Sequence, residues 1–170
     1  MTEPARIEDL RRRVQADPAS IAFAQLAEEY RRAGRLADAV STCQTGLALH
    51  PGYASARITL GRALAQLDRL DEADAEFQRV LTLVPDSLQA TRGLAEIARR
   101  QGELQQAMAY YRAALRLAPH HPDLERAIDE LSVLLVESLD ARARDLPMRQ
   151  VAALEQWMAA IHVARSDRSA

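Results

Sequence analysis

The chain of 170 residues has no lysine and no asparagine, a single cysteine, and only 4% aromatic residues. Each shortage removes a class of function. Without lysine there is no Schiff-base nucleophile and no lysine for a phosphate-binding loop. With Cys43 alone, neither an internal disulfide nor a thiolate metal cage can form within one chain. Sparse aromatic and β-branched residues beside abundant Ala and Leu favour helices over strands. No apolar run approaches the roughly 20 residues of a membrane span. The net charge of −2 offers no basic field to nucleic acid or anionic lipid. The opening MTEPARIEDLRRR lacks the apolar stretch of a secretory signal, so the cytoplasm is the expected location. Lys and Asn codons are AT-rich, and a GC-rich bacterial genome accounts for both absences.

What is present is a period. At a shift of 34 residues, Pro51, Pro85 and Pro119 align, as do Leu26, Leu60 and Leu94. Leu36, Leu70 and Leu104 form a further column, and Ala39, Ala73 and Ala107 another. Leu47, Leu81 and Leu115 align too, followed by Leu49, Leu83 and Leu117. Gly34, Asp68 and Gly102 mark a turn at one phase. Each unit reads as two helices. Phe23, Leu26, Ala27 and Tyr30 share one helical face; Leu36, Ala39, Val40, Cys43 and Leu47 restart the spacing after Gly34. Pro51 ends the second helix. Ala27, Gly61 and Ala95 are small so that paired helices can approach closely, which predicts Gly61 against the second helix of its own unit.

These residues resemble the tetratricopeptide repeat, W-x2-L-G-x2-Y, then A-x3-F, then P. The first unit supplies Phe23, Leu26, Ala27, Tyr30, Ala39, Cys43 and Pro51. The second supplies Leu60, Gly61, Leu64, Ala73, Phe77 and Pro85, with Arg57 at the tryptophan position. The third supplies Leu94, Ala95, Ala98, Ala107, Tyr111 and Pro119, with Thr91 there. Arg57 and Thr91 are expected to weaken packing locally. The resemblance implies an all-α fold, a right-handed superhelical solenoid of antiparallel helix pairs. Expected boundaries are a capping helix over 1–17 bearing Ile7, Leu10 and Val14, three repeats within 18–119 (about 20–53, 54–87 and 88–121), and a C-terminal part, 122–170.

In that last part a fourth repeat fails. Asp129 falls where Gly61 and Ala95 sit, and Ser132 where Tyr30 and Leu64 sit. A long helix from Pro122 to about Ala143 is expected instead, with Leu124, Ile128, Leu131 and Leu135 on one face and Val133, Leu134 and Val136 off it. A helix apolar on two sides is covered on two sides. Beyond Asp145 and Pro147, a stripe of Met148, Val151, Leu154, Met158 and Ile161, with Trp157 beside it, suits a second cover, a homodimer contact or a partner-binding helix.

Catalytic chemistry is thin. His50, His120, His121 and His162 lack ligand spacing on a helix, so no metal is expected. Cys43 stands in an apolar column, where a packing role is expected. No phosphate loop appears, no cofactor is implied, and the chain reads as a non-enzyme. In this family the first helix of each repeat lines a concave binding surface. Carried onto this sequence, that surface comprises Gln25, Glu28, Arg31 and Arg32; Ser55, Thr59, Arg62 and Gln66; and Gln89, Arg92, Glu96 and Arg99. Its Arg excess favours a protein or peptide partner bearing carboxylates. Family members that grip chaperone C-termini use a Lys and Asn clamp, which this chain cannot build in its usual form. The expected function is an adaptor or scaffold that holds a protein or peptide. The alternative is a structural subunit that self-associates through its C-terminal helices.

Overall fold

The computed structural model describes residues 3–144 and, isolated beyond them, Gln156. The described residues form eight helices and no strand: α1 (Glu3–Ala16), α2 (Ala22–Arg32), α3 (Leu36–Leu49), α4 (Ala54–Gln66), α5 (Leu70–Leu83), α6 (Leu88–Arg100), α7 (Leu104–Leu117) and α8 (Pro122–Arg144). The chain divides into two compact units, residues 1–131 and 132–170.

In the first unit one turn recurs three times. Gly34, Asp68 and Gly102 adopt left-handed φ values of 72°, 62° and 80°. Past each, the backbone N–H of Arg35, Arg69 and Glu103 donates to the carbonyls of Tyr30, Leu64 and Ala98, at 2.8, 3.0 and 2.9 Å. This six-residue loop is the Schellman cap that a left-handed residue permits. Asp is among the few side chains that tolerate the conformation. The chain therefore reverses at each phase and pairs α2 with α3, α4 with α5, and α6 with α7. Pro51, Pro85 and Pro119 stand two residues past the second helices, where none can continue. Stacking through α3–α4 and α5–α6 contacts builds the all-α repeat solenoid expected from the sequence.

The two phenylalanines are almost wholly buried, Phe23 at 1% exposure and Phe77 at 2%. A Cβ on Gly61 would stand 2.9 Å from Cζ of Phe77 on α5, so Gly61 does lie against the second helix of its own pair. Gly93 faces the same ring from α6, and Gly46 of α3 lies directly under the Phe23 ring. Ala39, Ala73 and Ala107 are fully buried.

Arg57 does not loosen its site as expected. Its Nε and Nη2 donate to the Pro51 carbonyl at 2.9 and 2.6 Å, and Nη1 to Glu76 Oε2 at 2.8 Å. Glu76 also holds Arg79. A fork of donors thus ties α4 to α5 where the family places an aromatic ring. Thr91 is buried with its hydroxyl donating to the Ser87 carbonyl at 3.0 Å.

α1 packs on α2 with Ile7 and Leu10 buried, and Arg6 reaches the buried Glu29 at 3.1 Å. α8 is one continuous helix in place of a fourth hairpin, with Leu124 and Leu131 buried. In the second unit its last turns expose Val133 and Val136 at 58% and 59%, with Leu134 and Leu139 also exposed. The stripe from Met148 to Ile161, and Trp157, lie outside the described residues.

Gly46→Ala should lower the urea midpoint, because a methyl group there overlaps the buried Phe23 ring. Overpacking costs typically about 1–3 kcal/mol, more than the ~1 kcal/mol of helix propensity that Ala returns. Gly52→Ala, where a Cβ meets nothing within 4 Å, should shift stability by about 0.5 kcal/mol or less. Equal midpoints for both variants would contradict this packing.

Candidate binding surface

α2, α4 and α6 touch in succession, so the outer faces of the first helices form one wall. At least three cavities indent it among the described residues. The first, about 270 Å³, is lined by Arg6, Ala24, Gln25, Glu28, Glu29, Arg32, Tyr53, Ser55 and Thr59. The second, about 310 Å³, lies between α4 and α6 and is lined by Arg31, Arg62, Ala65, Gln66, Phe77, Gly93, Glu96, Ile97 and Arg100. The third, about 410 Å³, shares Arg62, Phe77, Gly93 and Glu96 with the second and adds Leu88, Gln89, Arg92 and Tyr111.

Eleven of the twelve residues read from the sequence therefore line this wall's cavities. Arg99 lines none of the three; it bonds Glu96 at 2.7 Å. Thr59 is buried, and its hydroxyl donates to Glu28 Oε2 at 3.3 Å, so it orients Glu28 instead of meeting solvent. The sequence reading missed Ile97, Gly93 and Phe77, which its choice of exposed flanking positions passed over, and also Arg100, which is exposed but follows the chosen Arg99 in sequence.

The charges are unequally matched. Glu28 accepts from Arg31 at 2.8 and 3.0 Å and from Arg32 at 3.0 Å. The Arg31 hydrogen bonds, above all, hold its carboxyl at about 2, against burial, which alone would raise it. Glu96 sits in burial that pushes its carboxyl up, yet Arg99 and the Tyr111 hydroxyl outweigh this and hold it below the usual range. Arg100 spans α6 to α4, donating to the Ala65 carbonyl at 2.6 Å and to Asp68 at 2.7 Å. Arg62 is different. It is half-buried and makes no hydrogen bond or ion pair with a described residue; burial lowers its pKa first, Glu28 opposes this, and Arg31, Arg92 and Arg32 lower it further. Its wall neighbour Arg92 is exposed and likewise unpaired among the described residues. A half-buried guanidinium without a hydrogen-bond acceptor is costly.

Cys43 serves packing. Its thiol is fully buried, lies 3.5 Å from the Ala56 carbonyl, and is pushed up to about 12, chiefly by burial. Among the described residues no cluster of three potential ligands could hold a metal ion. No helix among them is long and apolar enough to cross a membrane.

A family model for the tetratricopeptide repeat matches residues 24–87 and again 60–122. The chain belongs to the tetratricopeptide repeat family. This repeat is a protein-interaction fold. A probable biofilm formation methyltransferase, WspC of Pseudomonas putida, is 38% identical over 87 residues, 51% of this chain and 20% of that protein. The chain spans a fifth or less of the length of the curated relatives it matches. The solved structure of TTC0263, a thermophilic tetratricopeptide protein in Thermus thermophilus, superposes with a TM-score of 0.66 at 27% identity, covering 75% of this chain and 71% of that one. The first tetratricopeptide domain of Spaghetti (RPAP3), solved with the HSP90 peptide SRMEEVD, gives 0.67 at 15% identity, covering 70% and 94%.

Glu28 links this wall to stability. Its folded pKa lies below its ordinary value of 4.5, so its contribution is complete above that pH and is lost as pH falls towards 2. Glu28→Gln should therefore flatten part of the stability decline between pH 4.5 and 2, measured by urea unfolding. An identical slope in wild type and variant would contradict the pairing.

Proposed function

We propose that the chain is a cytoplasmic adaptor that holds an acidic segment of a partner protein along the concave face formed by α2, α4 and α6. The observation that carries this reading is Arg62, a half-buried guanidinium that no carboxylate of the described residues pairs directly, at the junction of the second and third cavities. Gln25, Glu28, Arg31, Arg32, Ser55, Thr59, Gln66, Gln89, Arg92, Glu96 and Arg99 make up the rest of that face, with Arg31 and Arg32 sharing Glu28 and Arg99 paired with Glu96. The peptide-bound neighbour of the same fold supports a peptide as the ligand. Arginine forks suit carboxylates, and a carboxylate against Arg62 would restore charge balance that the folded chain leaves open.

A second reading has its own support. The exposed Val133, Leu134, Val136 and Leu139 of α8 suit a self-associating subunit joined through its C-terminal helices. Solution molar mass with and without residues 145–170 separates the two, since only the assembly reading predicts a dimer, and the truncation tells whether that dimer needs more than the exposed end of α8.

For the adaptor, Arg62→Glu replaces attraction with repulsion. Binding of a partner recovered from the native cell should weaken by about 1.5–3 kcal/mol, roughly 10- to 150-fold. Wild-type affinity should also fall with salt, which screens exposed charges over about 8 Å at physiological strength. Equal affinities for a folded variant at two salt concentrations would remove the groove from the account.

A further inference from the structure

The first cavity holds two neighbouring carboxylates in unequal states. Glu28 is saturated: Arg31 donates to it at 2.8 and 3.0 Å, Arg32 at 3.0 Å and the Thr59 hydroxyl at 3.3 Å. Glu29 is more deeply buried, with its side chain only 9% exposed, yet a single ion pair holds it. Arg6 of α1 reaches its Oε1 through Nε at 3.1 Å, and Oε2 accepts no hydrogen bond from a described residue. Taking a carboxylate out of water is costly unless it is both paired and hydrogen-bonded. Glu29 is paired but under-bonded.

Arg6 is the exchangeable half of that pair. It stands on a different helix and is 56% exposed. It also borders a neighbouring recess of about 360 Å³, lined further by Asp9, Leu10, Arg13 and Gln25. Asp9 lies three residues along α1, the spacing of an intrahelical ion pair, and its present contact with Arg12 is long, at 3.8 Å. Arg6 can therefore leave Glu29 and still find a carboxylate. It would vacate a cavity of about 270 Å³ in which Tyr53 and Ser55 spend their hydroxyls on no described residue. Tyr53 also brings an aromatic ring, which attracts a planar cation.

We infer that this cavity is a subsite for a basic side chain of a partner protein, an arginine whose guanidinium takes Glu29 from Arg6. A guanidinium fork engages both carboxylate oxygens at once, where Arg6 reaches one through Nε. The Tyr53 and Ser55 hydroxyls accept from the N–H groups that the carboxylate leaves over. Arg6 is a built-in competitor. It keeps the buried carboxylate paired while the cavity is empty, and it sets the affinity that an incoming arginine must exceed. The site takes the charge opposite to that expected at Arg62, and it stands whether or not an acid binds there.

The test titrates the full chain with acetyl-arginine-amide and with acetyl-citrulline-amide, its neutral isostere, at constant ionic strength, followed by amide chemical shifts. In wild type the arginine probe should move Glu29, Tyr53 and Ser55, and the citrulline probe should not. Arg6→Gln should bind the arginine probe about two- to fivefold more tightly, because a competing exposed ion pair is gone. Glu29→Gln should not bind it. If Glu29→Gln fails to fold, the comparison of Arg6→Gln with wild type decides alone. Equal affinities for wild type and Arg6→Gln, equal responses to the two probes, or shifts confined to α6 would each overturn the inference. The acidic-segment reading rests on Arg62 and survives any of these failures.

Discussion

Two phenylalanine rings, each pressed against glycine, set the distances between helices on which the rest of this chain depends. Phe77 of α5 meets Gly61 of α4 and Gly93 of α6, so one ring gauges the approach of three helices. Phe23 of α2 does the same against Gly46 of α3. A buried aromatic ring is a large apolar group that tolerates little displacement in a close-packed interior. With α4 and α6 held on either side of Phe77, their outer faces align into a wall, and the space above the ring remains as a cavity. The surface that could hold a partner is thus a by-product of the packing that holds the fold together.

Electrostatics follow from a chain whose only strong cation is arginine. Most described carboxylates on the helices bind an Arg three or four residues away, as Glu28, Glu72 and Glu96 do. The exposed pairs among them contribute little stability, because water and salt screen them, while the Glu28 pair is partly buried. Their effect is selective. They engage Arg31 and Arg32 through Glu28 and Arg99 through Glu96, and leave Arg62 and Arg92 without a direct partner among the described residues. At Arg57 the same chemistry works inward, where the planar fork replaces an aromatic contact by a bond between α4 and α5.

Much of this was legible in the sequence because the fold repeats. The turns at Gly34, Asp68 and Gly102, the prolines, and the Ala39 column recur at one phase, and recurrence exposes a local backbone requirement. Gly61 was legible through its column of small residues. Gly46 and Gly93 were not, since Val80 and Ala114 share the phase of one, and Gln25 and Thr59 that of the other. Their glycines answer to a ring on a neighbouring helix, which no single-helix pattern encodes. Arg57 was misjudged for the same reason, its acceptor Glu76 lying 19 residues away on another helix. Arg62 could have been singled out further. No acid stands three or four residues to either side of it, whereas Arg31 and Arg99 have such partners. The assignment of α8 as one long helix needed only the failure of the repeat at Asp129 and Ser132.

The central claim is that the wall of first helices, and not the exposed end of α8, receives the partner. Amide chemical-shift mapping of the full chain during titration with a recovered partner segment tests it most directly. The account predicts perturbations concentrated at Arg62, Ala65, Gln66, Arg92 and Gly93, with residues 132–144 unmoved. Perturbations confined to Val133, Val136 and their neighbours, with α4 and α6 silent, would contradict it.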